Sequence, residues 1–106
     1  MGKVDFRMME EKSPTQGFTR LTVEGQINSI SAPALQHKLE EMLSGGDVHI
    51  VLNMCLVGYL SSAGIRVILN TYKEAQATGG QFYIEQPSEN VRNVLGMTAL
   101  DDLLLK

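Results

Sequence analysis

Two hydrophobic periods alternate along this chain, and their order constrains the fold more than any other feature of the sequence. The run FTRLTVE (residues 18–24) alternates strictly, with Thr19, Leu21 and Val23 on one side and Phe18, Arg20, Thr22 and Glu24 on the other. That is the signature of a half-buried strand. After Gly25 the spacing becomes helical. Ser31, Ala32 and Pro33 supply a capping hydroxyl and an opening proline, Leu35, Leu39, Met42 and Leu43 form one stripe, and Gly45 and Gly46 close the element. Period two then returns, with Val48, Ile50, Leu52 and Met54 facing away from His49, Val51 and Asn53. A second helix follows Ser61 and Ser62, carrying Ile65, Ile68, Leu69, Tyr72 and Ala75 on its stripe and ending at Gly79 and Gly80. Phe82 and Ile84 mark another strand, and Ser88 caps a last helix bearing Val91, Val94 and Leu95. An earlier strand over residues 4–9, joined through a turn at 13–17, completes the order β-β-α-β-α-β-α.

Strand–helix–strand units force parallel strands joined by right-handed crossovers. If strand order progresses in one direction, every such crossover puts its helix on the same side of the sheet. Strands covered on both faces would read as continuous apolar runs, whereas strands two and four here are polar at alternate positions. The expectation is therefore an α/β fold with a mixed four-stranded sheet, its helices mainly on one face and its outer face partly solvated. The first strand pairs antiparallel with the second. With 106 residues and no linker or repeat, the chain reads as a single domain over residues 1–106.

Composition removes several function classes. Nine basic residues against twelve acidic ones give a net charge of −3. That argues against a nucleic-acid module, whose affinity comes mostly from clustered basic residues neutralising phosphates. A single cysteine, Cys55, cannot form an internal disulfide, and no apolar run is long enough to span a membrane. The N-terminal stretch also lacks the apolar core of a signal peptide. These features predict a cytoplasmic protein without membrane insertion; a monomer is expected, although a half-solvated sheet edge could pair.

Chemistry-bearing motifs are few. The phosphate-cradling patterns GxxxxGK[ST] and GxGxxG are absent. His37, His49 and Cys55 do not make a ligand cluster at zinc-like spacing, so neither metal nor cofactor is expected. Both histidines read as solvated surface side chains, and Cys55, following a buried strand, reads as a small core residue. A serine hydrolase fails on two counts. Leu60 stands where the first glycine of G-x-S-x-G belongs, and both histidines precede the serine. The chain reads as a binding module, not an enzyme.

The informative stretch runs from strand three through Leu60, Ser61, Ser62, Ala63 and Gly64 into helix two. Two successive hydroxyls stand where one suffices for a cap. The plain reading is an N-cap, contributing about 1 kcal/mol. The sharper reading is a phosphorylation switch: a phosphate there would meet unpaired backbone N–H groups at the positive end of the helix dipole. It would also move the domain's charge from −3 to about −5.

The run YLSSAGIRVIL resembles the signature of STAS domains (sulphate transporter and anti-sigma factor antagonist), an apolar strand leading into an acid or serine, a hydroxyl residue, a small residue, glycine and an apolar helix. VEGQINSISAPALQHKLEEML is similar to the family's loop into helix one, and PSENVRNVLGMTALDDLL to its last helical region, so the likeness spans nearly the whole chain. It implies a STAS-like fold and, for a free-standing domain, an anti-sigma factor antagonist. Such a protein, while unphosphorylated, holds an anti-sigma factor that is also a serine kinase, and so frees a sigma factor for transcription. A PP2C-type phosphatase resets it.

By position, the resemblance makes Ser62 the phosphoacceptor, with Ser61 in the preceding, often acidic slot and so a rival acceptor. Gly64 matches the motif glycine, where the missing side chain would let a partner approach the backbone, and Asn28 matches a loop position often held by aspartate. Two neutral residues in place of two acids favour a phosphate electrostatically. The implied docking surface comprises Asn28, Ser29, Ser61, Ser62, Gly64 and the exposed side of helix two at Arg66, Asn70 and Lys73. For those last three, ordinary solvated helix surface is the simpler reading, and only their nearness to Ser62 lifts them. An alternative from a different class is a non-phosphorylated STAS adaptor subunit of a lipid-transport ATPase complex, in which the same loop packs permanently against an ATPase. Nucleotide binding at that loop is a third, weaker possibility.

Overall fold

The computed structural model describes residues 6–13, 17–47, 49–98, 100 and 103. Its elements follow the expected order: β1 (Phe6–Ser13), β2 (Phe18–Ile27), α1 (Ala32–Ser44), β3 (His49–Leu60), α2 (Ser62–Ala77), β4 (Gln81–Glu85) and α3 (Glu89–Met97). The four strands form one sheet in the order β1-β2-β3-β4. β1 is antiparallel to β2, whereas β2, β3 and β4 are mutually parallel. Strand order thus advances in one direction, the condition under which right-handed crossovers put every helix on one side.

Register explains the single core. Leu21 pairs with Leu52 and Leu52 with Ile84, while Thr19 pairs with Ile50 and Ile50 with Phe82. These residues, with Val23 and Met54, are buried, and the apolar ones share one cluster with Leu35, Leu39 and Met42 of α1, Val67 and Ile68 of α2, and Val91 and Leu95 of α3. Each large apolar side chain so enclosed contributes roughly 1.5–3 kcal/mol of transfer free energy. On the opposite face, Arg20 pairs in register with Val51, and Thr22 with Asn53. There Asn53 Nδ2 donates to Glu85 Oε2 at 2.8 Å, and the Arg20 guanidinium, 5.2 Å from the Phe18 ring centre, is paired with Glu85. The hydrogen bonds from Arg20 and Asn53 hold the Glu85 carboxyl below the usual carboxylate range. On the helix side, the Lys38 ammonium lies 2.7 Å from Glu10 Oε1, which raises its pKa and pins α1 to β1.

Several boundaries differ from the sequence reading, each for a physical reason. β1 continues to Ser13, which pairs with Phe18, so the expected turn is shorter. Gly25 does not end β2; with φ +113° it sits at an irregularity inside the strand. β3 runs past Cys55 to Leu60, because two bulges carry it onward. Thr22 pairs with Asn53 but Glu24 with Leu56, and Gly25 pairs with Val57 but Gln26 with Tyr59. Each bulge inserts one residue on β3, so its inward positions become Met54, Val57 and Leu60, three apart. Cys55 is consequently exposed, not a core residue. Asn53 Oδ1 steadies the first bulge by accepting from the Cys55 N–H at 3.1 Å.

In α2 the buried face is Gly64, Val67, Ile68, Thr71 and Ala75, with Ile65, Leu69 and Tyr72 only half-buried. His49 is half-buried and its Nδ1 has no hydrogen-bond partner among the described residues, in contrast to the solvated side chain expected. The expected inward position of Val48, and residues 4–5 and 14–16 of the expected first strand and turn, lie outside the described residues.

Candidate functional site

The parallel strands β2 and β3 end side by side, and the segments leading out of them build the site. Ile27, the last residue of β2, accepts at its carbonyl from the Ser61 N–H at 2.9 Å, tying the two segments together. Below that bond Gly64 is buried against Ile27. A methyl group on its α-carbon would lie 2.5 Å from Ile27 Cγ2 and 2.6 Å from Leu60 Cδ1. The glycine is therefore required by packing between α2 and the strand ends. Packing thus accounts for the glycine by itself, without the approach of a partner to its backbone that the resemblance implies.

The loop between β2 and α1 closes on itself. Asn28 Oδ1 accepts from the Ile30 N–H at 2.9 Å and the Ser31 N–H at 3.0 Å. Ser31 Oγ donates to the Gln26 carbonyl at 2.7 Å and accepts from the Asn28 N–H at 3.0 Å. Ser31 thus occupies the N-cap position of α1 without capping it by its side chain, contrary to expectation. Its hydroxyl is committed to the turn, and Pro33 in the first turn has no N–H to satisfy. The neutral Asn28 serves this turn as an aspartate would, since only a side-chain oxygen is needed.

At the start of α2 the two serines divide. Ser61 has extended backbone, and its Oγ accepts from the Gly64 N–H at 3.3 Å, so Ser61 is the cap. Ser62 is the first helical residue; it is exposed, and its hydroxyl makes no hydrogen bond among the described residues. One helical turn on, Arg66 is exposed and lines a shallow groove of about 430 Å³ between α1 and α2, with Ser29, Pro33, His37, Glu40 and Ala63. Arg66 has no ion-pair partner among the described residues. Lys73 is exposed and Asn70 half-buried, and their spacing from Ser62 puts all four on one side of the helix.

The structure thus brings Ser29, Ser62 and Arg66 to one accessible surface, and places Asn28 and Ser61 beneath it as supports. It also shows a residue absent from the sequence-based set. Ile30, at the tip of the β2–α1 loop, is 86% exposed. It belongs to no periodic pattern, so hydropathy alone could not single it out. Among the described residues, no group of three or more His, Cys, Asp or Glu side chains could hold a metal, and no helix is long and apolar enough to cross a membrane.

A mixed sheet with helices on one face, and a capped helix presenting an exposed serine where two parallel strands end, define a small α/β domain. The family model described as STAS domain matches residues 10–106, and the chain belongs to that family. The chain is 31% identical over 86 residues to the anti-sigma-B factor antagonist of Bacillus subtilis strain 168, covering 80% of this chain and 77% of that one. Among solved structures, an anti-sigma factor antagonist from Mycobacterium paratuberculosis superposes with a TM-score of 0.81 at 22% identity, over 93% of this chain and 82% of the other. The anti-sigma factor antagonist SpoIIAA in its unphosphorylated form gives 0.80 at 19% identity, over 93% and 86%. Both share this fold.

Proposed function

We infer that this chain is an anti-sigma factor antagonist, a binding module that docks on an anti-sigma factor while Ser62 carries a free hydroxyl and is released when Ser62 is phosphorylated. The observation that carries this reading is the division of labour between the two serines. Capping explains Ser61 fully, through its bond from the Gly64 N–H. It leaves Ser62 exposed at the head of the helix, its hydroxyl without a hydrogen-bond partner among the described residues. In the phosphorylated form the γ-phosphoryl group of ATP is transferred to Ser62 Oγ, ADP departs and the hydroxyl proton is released. Hydrolysis by a PP2C-type phosphatase returns the hydroxyl and inorganic phosphate.

The phosphate sits at the positive end of the α2 dipole, near helix N–H groups that have no intrahelical acceptor. The local fold therefore accommodates it, and the change is read by the partner. About two added negative charges on the contact surface oppose docking through desolvation and repulsion. Asn28, Ser29, Ser62, Arg66, Asn70 and Lys73 form or support the docking face.

The test is to incubate the purified protein with ATP, magnesium and each histidine-kinase-like serine kinase encoded in the same genome, reading intact mass and mapping the site. A single phosphate on Ser62, absent in Ser62→Ala, supports the switch. Ser62→Asp should weaken binding and Ser62→Ala should bind constitutively. Phosphate on Ser61 would move the acceptor by one residue. No phosphate with any kinase, under conditions where a known pair reacts, would sink the switch and favour the adaptor reading.

A further inference from the structure

We propose that Ile30 is the apolar anchor of the docking surface, seated in an uncharged pocket of the anti-sigma factor that engages Ser62; this rests on the function inferred above. A lone exposed apolar side chain is ordinary in itself. Three features set Ile30 apart. First, it is the most exposed of the large apolar residues described, at 86%, and it contributes nothing to the core.

Second, it is presented rigidly. Its own N–H is held by Asn28 Oδ1, and the residue after it is fastened by the Ser31 N–H on the same oxygen and by Ser31 Oγ on the Gln26 carbonyl. A turn locked before binding has already lost the backbone freedom that a flexible loop would lose on docking.

Third, the chain segments that carry it and lie tied beside it are uncharged. Residues 25–36 and 50–65 contain no Asp, Glu, Lys, Arg or His, in a chain that is 20% charged. These two segments include the loops joined by the bond from the Ser61 N–H to the Ile27 carbonyl. A partner that reaches Ser62 from the side of the β2–α1 loop therefore meets two uncharged segments with an isoleucine at the tip, and meets its first charge, Arg66, only one helical turn beyond. Such a surface fits an apolar pocket and gives little purchase to a charged one. It also accounts for the force of the switch: a phosphate on Ser62 enters a contact from which an apolar anchor excludes water, where an unpaired charge is costly.

Calorimetric titration with the serine kinase that reacts with this chain in the mass experiment decides the matter. Ile30→Ser should raise Kd about thirtyfold or more, the cost of removing a central apolar hot spot, whereas Ile30→Leu should stay within about threefold. Met97→Ser removes an apolar side chain that is 79% exposed at the C-terminal end of α3 and should leave Kd unchanged. All three variants should melt with the parent, since none of these side chains is buried. Ile30→Ser binding within about threefold of the parent would overturn the anchor while leaving the switch intact. A parent chain that binds none of the kinases would overturn the proposed function, and the anchor with it.

Discussion

The α-carbon of Gly64 faces Ile27 so closely that a methyl group added there would stand 2.5 Å from Ile27 Cγ2. This contact joins the first turn of α2 to the end of β2, and it sets the position from which Ser61 and Ser62 emerge. Gly64→Ala gains at most about 1 kcal/mol of helix propensity. Against that, overpacking a rigid site costs roughly 1–3 kcal/mol, and Leu60 Cδ1 at 2.6 Å leaves no easy direction of retreat. The clash wins, so urea denaturation should show a loss of about 1–2 kcal/mol. In an Ile27→Ala background the same methyl should cost less. Equal cost in both backgrounds would show that Ile27 is not the obstacle.

The two serines should separate in a stability assay. Ser61→Ala removes the acceptor for the Gly64 N–H and should cost about 1 kcal/mol, a drop of roughly 4 °C or more in Tm for a domain of this size. Ser62→Ala removes an exposed hydroxyl with no partner among the described residues and should change stability by no more than about 0.5 kcal/mol. Thermal melts of the two variants side by side check this. The opposite ranking would make Ser62 the cap and remove the reason for treating it as free.

Element order, sheet topology and the inward faces of β2 and β4 were legible because each rests on a local period repeated over several residues. The site was legible only in part. Which serine caps α2 depends on one backbone angle at Ser61, and two adjacent hydroxyls look alike in a sequence. The packing reason for Gly64 was hidden because its obstacle, Ile27, lies 37 positions away in the chain and meets it only through the parallel pairing of β2 and β3. Cys55 and the length of β3 were misjudged because bulges change the inward spacing from two to three, and nothing in the residues around Asn53 announces them. Ser31 read as a cap since its type and place fit, yet Asn28 and Gln26 compete for its hydroxyl and win.

Asn28 should act through the loop and not through charge. Asn28→Ala deletes the acceptor shared by the Ile30 and Ser31 N–H groups, whereas Asn28→Asp keeps an oxygen in place. Amide hydrogen exchange at Ile30 and Ser31 should quicken about tenfold or more in the alanine variant, the equivalent of losing roughly 1.4 kcal/mol of local protection. It should change little in the aspartate variant. Unchanged exchange in Asn28→Ala would mean that the turn is held by Ser31 alone.

The outer face of the sheet carries a pH dependence whose sign follows from Glu85. Hydrogen bonds from Arg20 and Asn53 lower its pKa from the ordinary 4.5 despite opposing desolvation, so the folded state favours the carboxylate. The stability this contributes is fully present above the unfolded-state value, diminishes as pH falls below it, and is gone once pH is below the lowered folded-state value. With the Glu85 side chain 12% exposed and Arg20 32% exposed, solvent screens the pair only in part. Glu85→Gln should therefore cost about 1–2 kcal/mol at neutral pH. The gap between parent and variant should narrow through the acid range beginning near pH 4.5. Urea titrations of both proteins from about pH 7 down to about pH 3 measure it. A gap that stays constant over that range would mean that Glu85 ionises equally in the folded and unfolded chains, and that the Arg20 contact does not hold its charge.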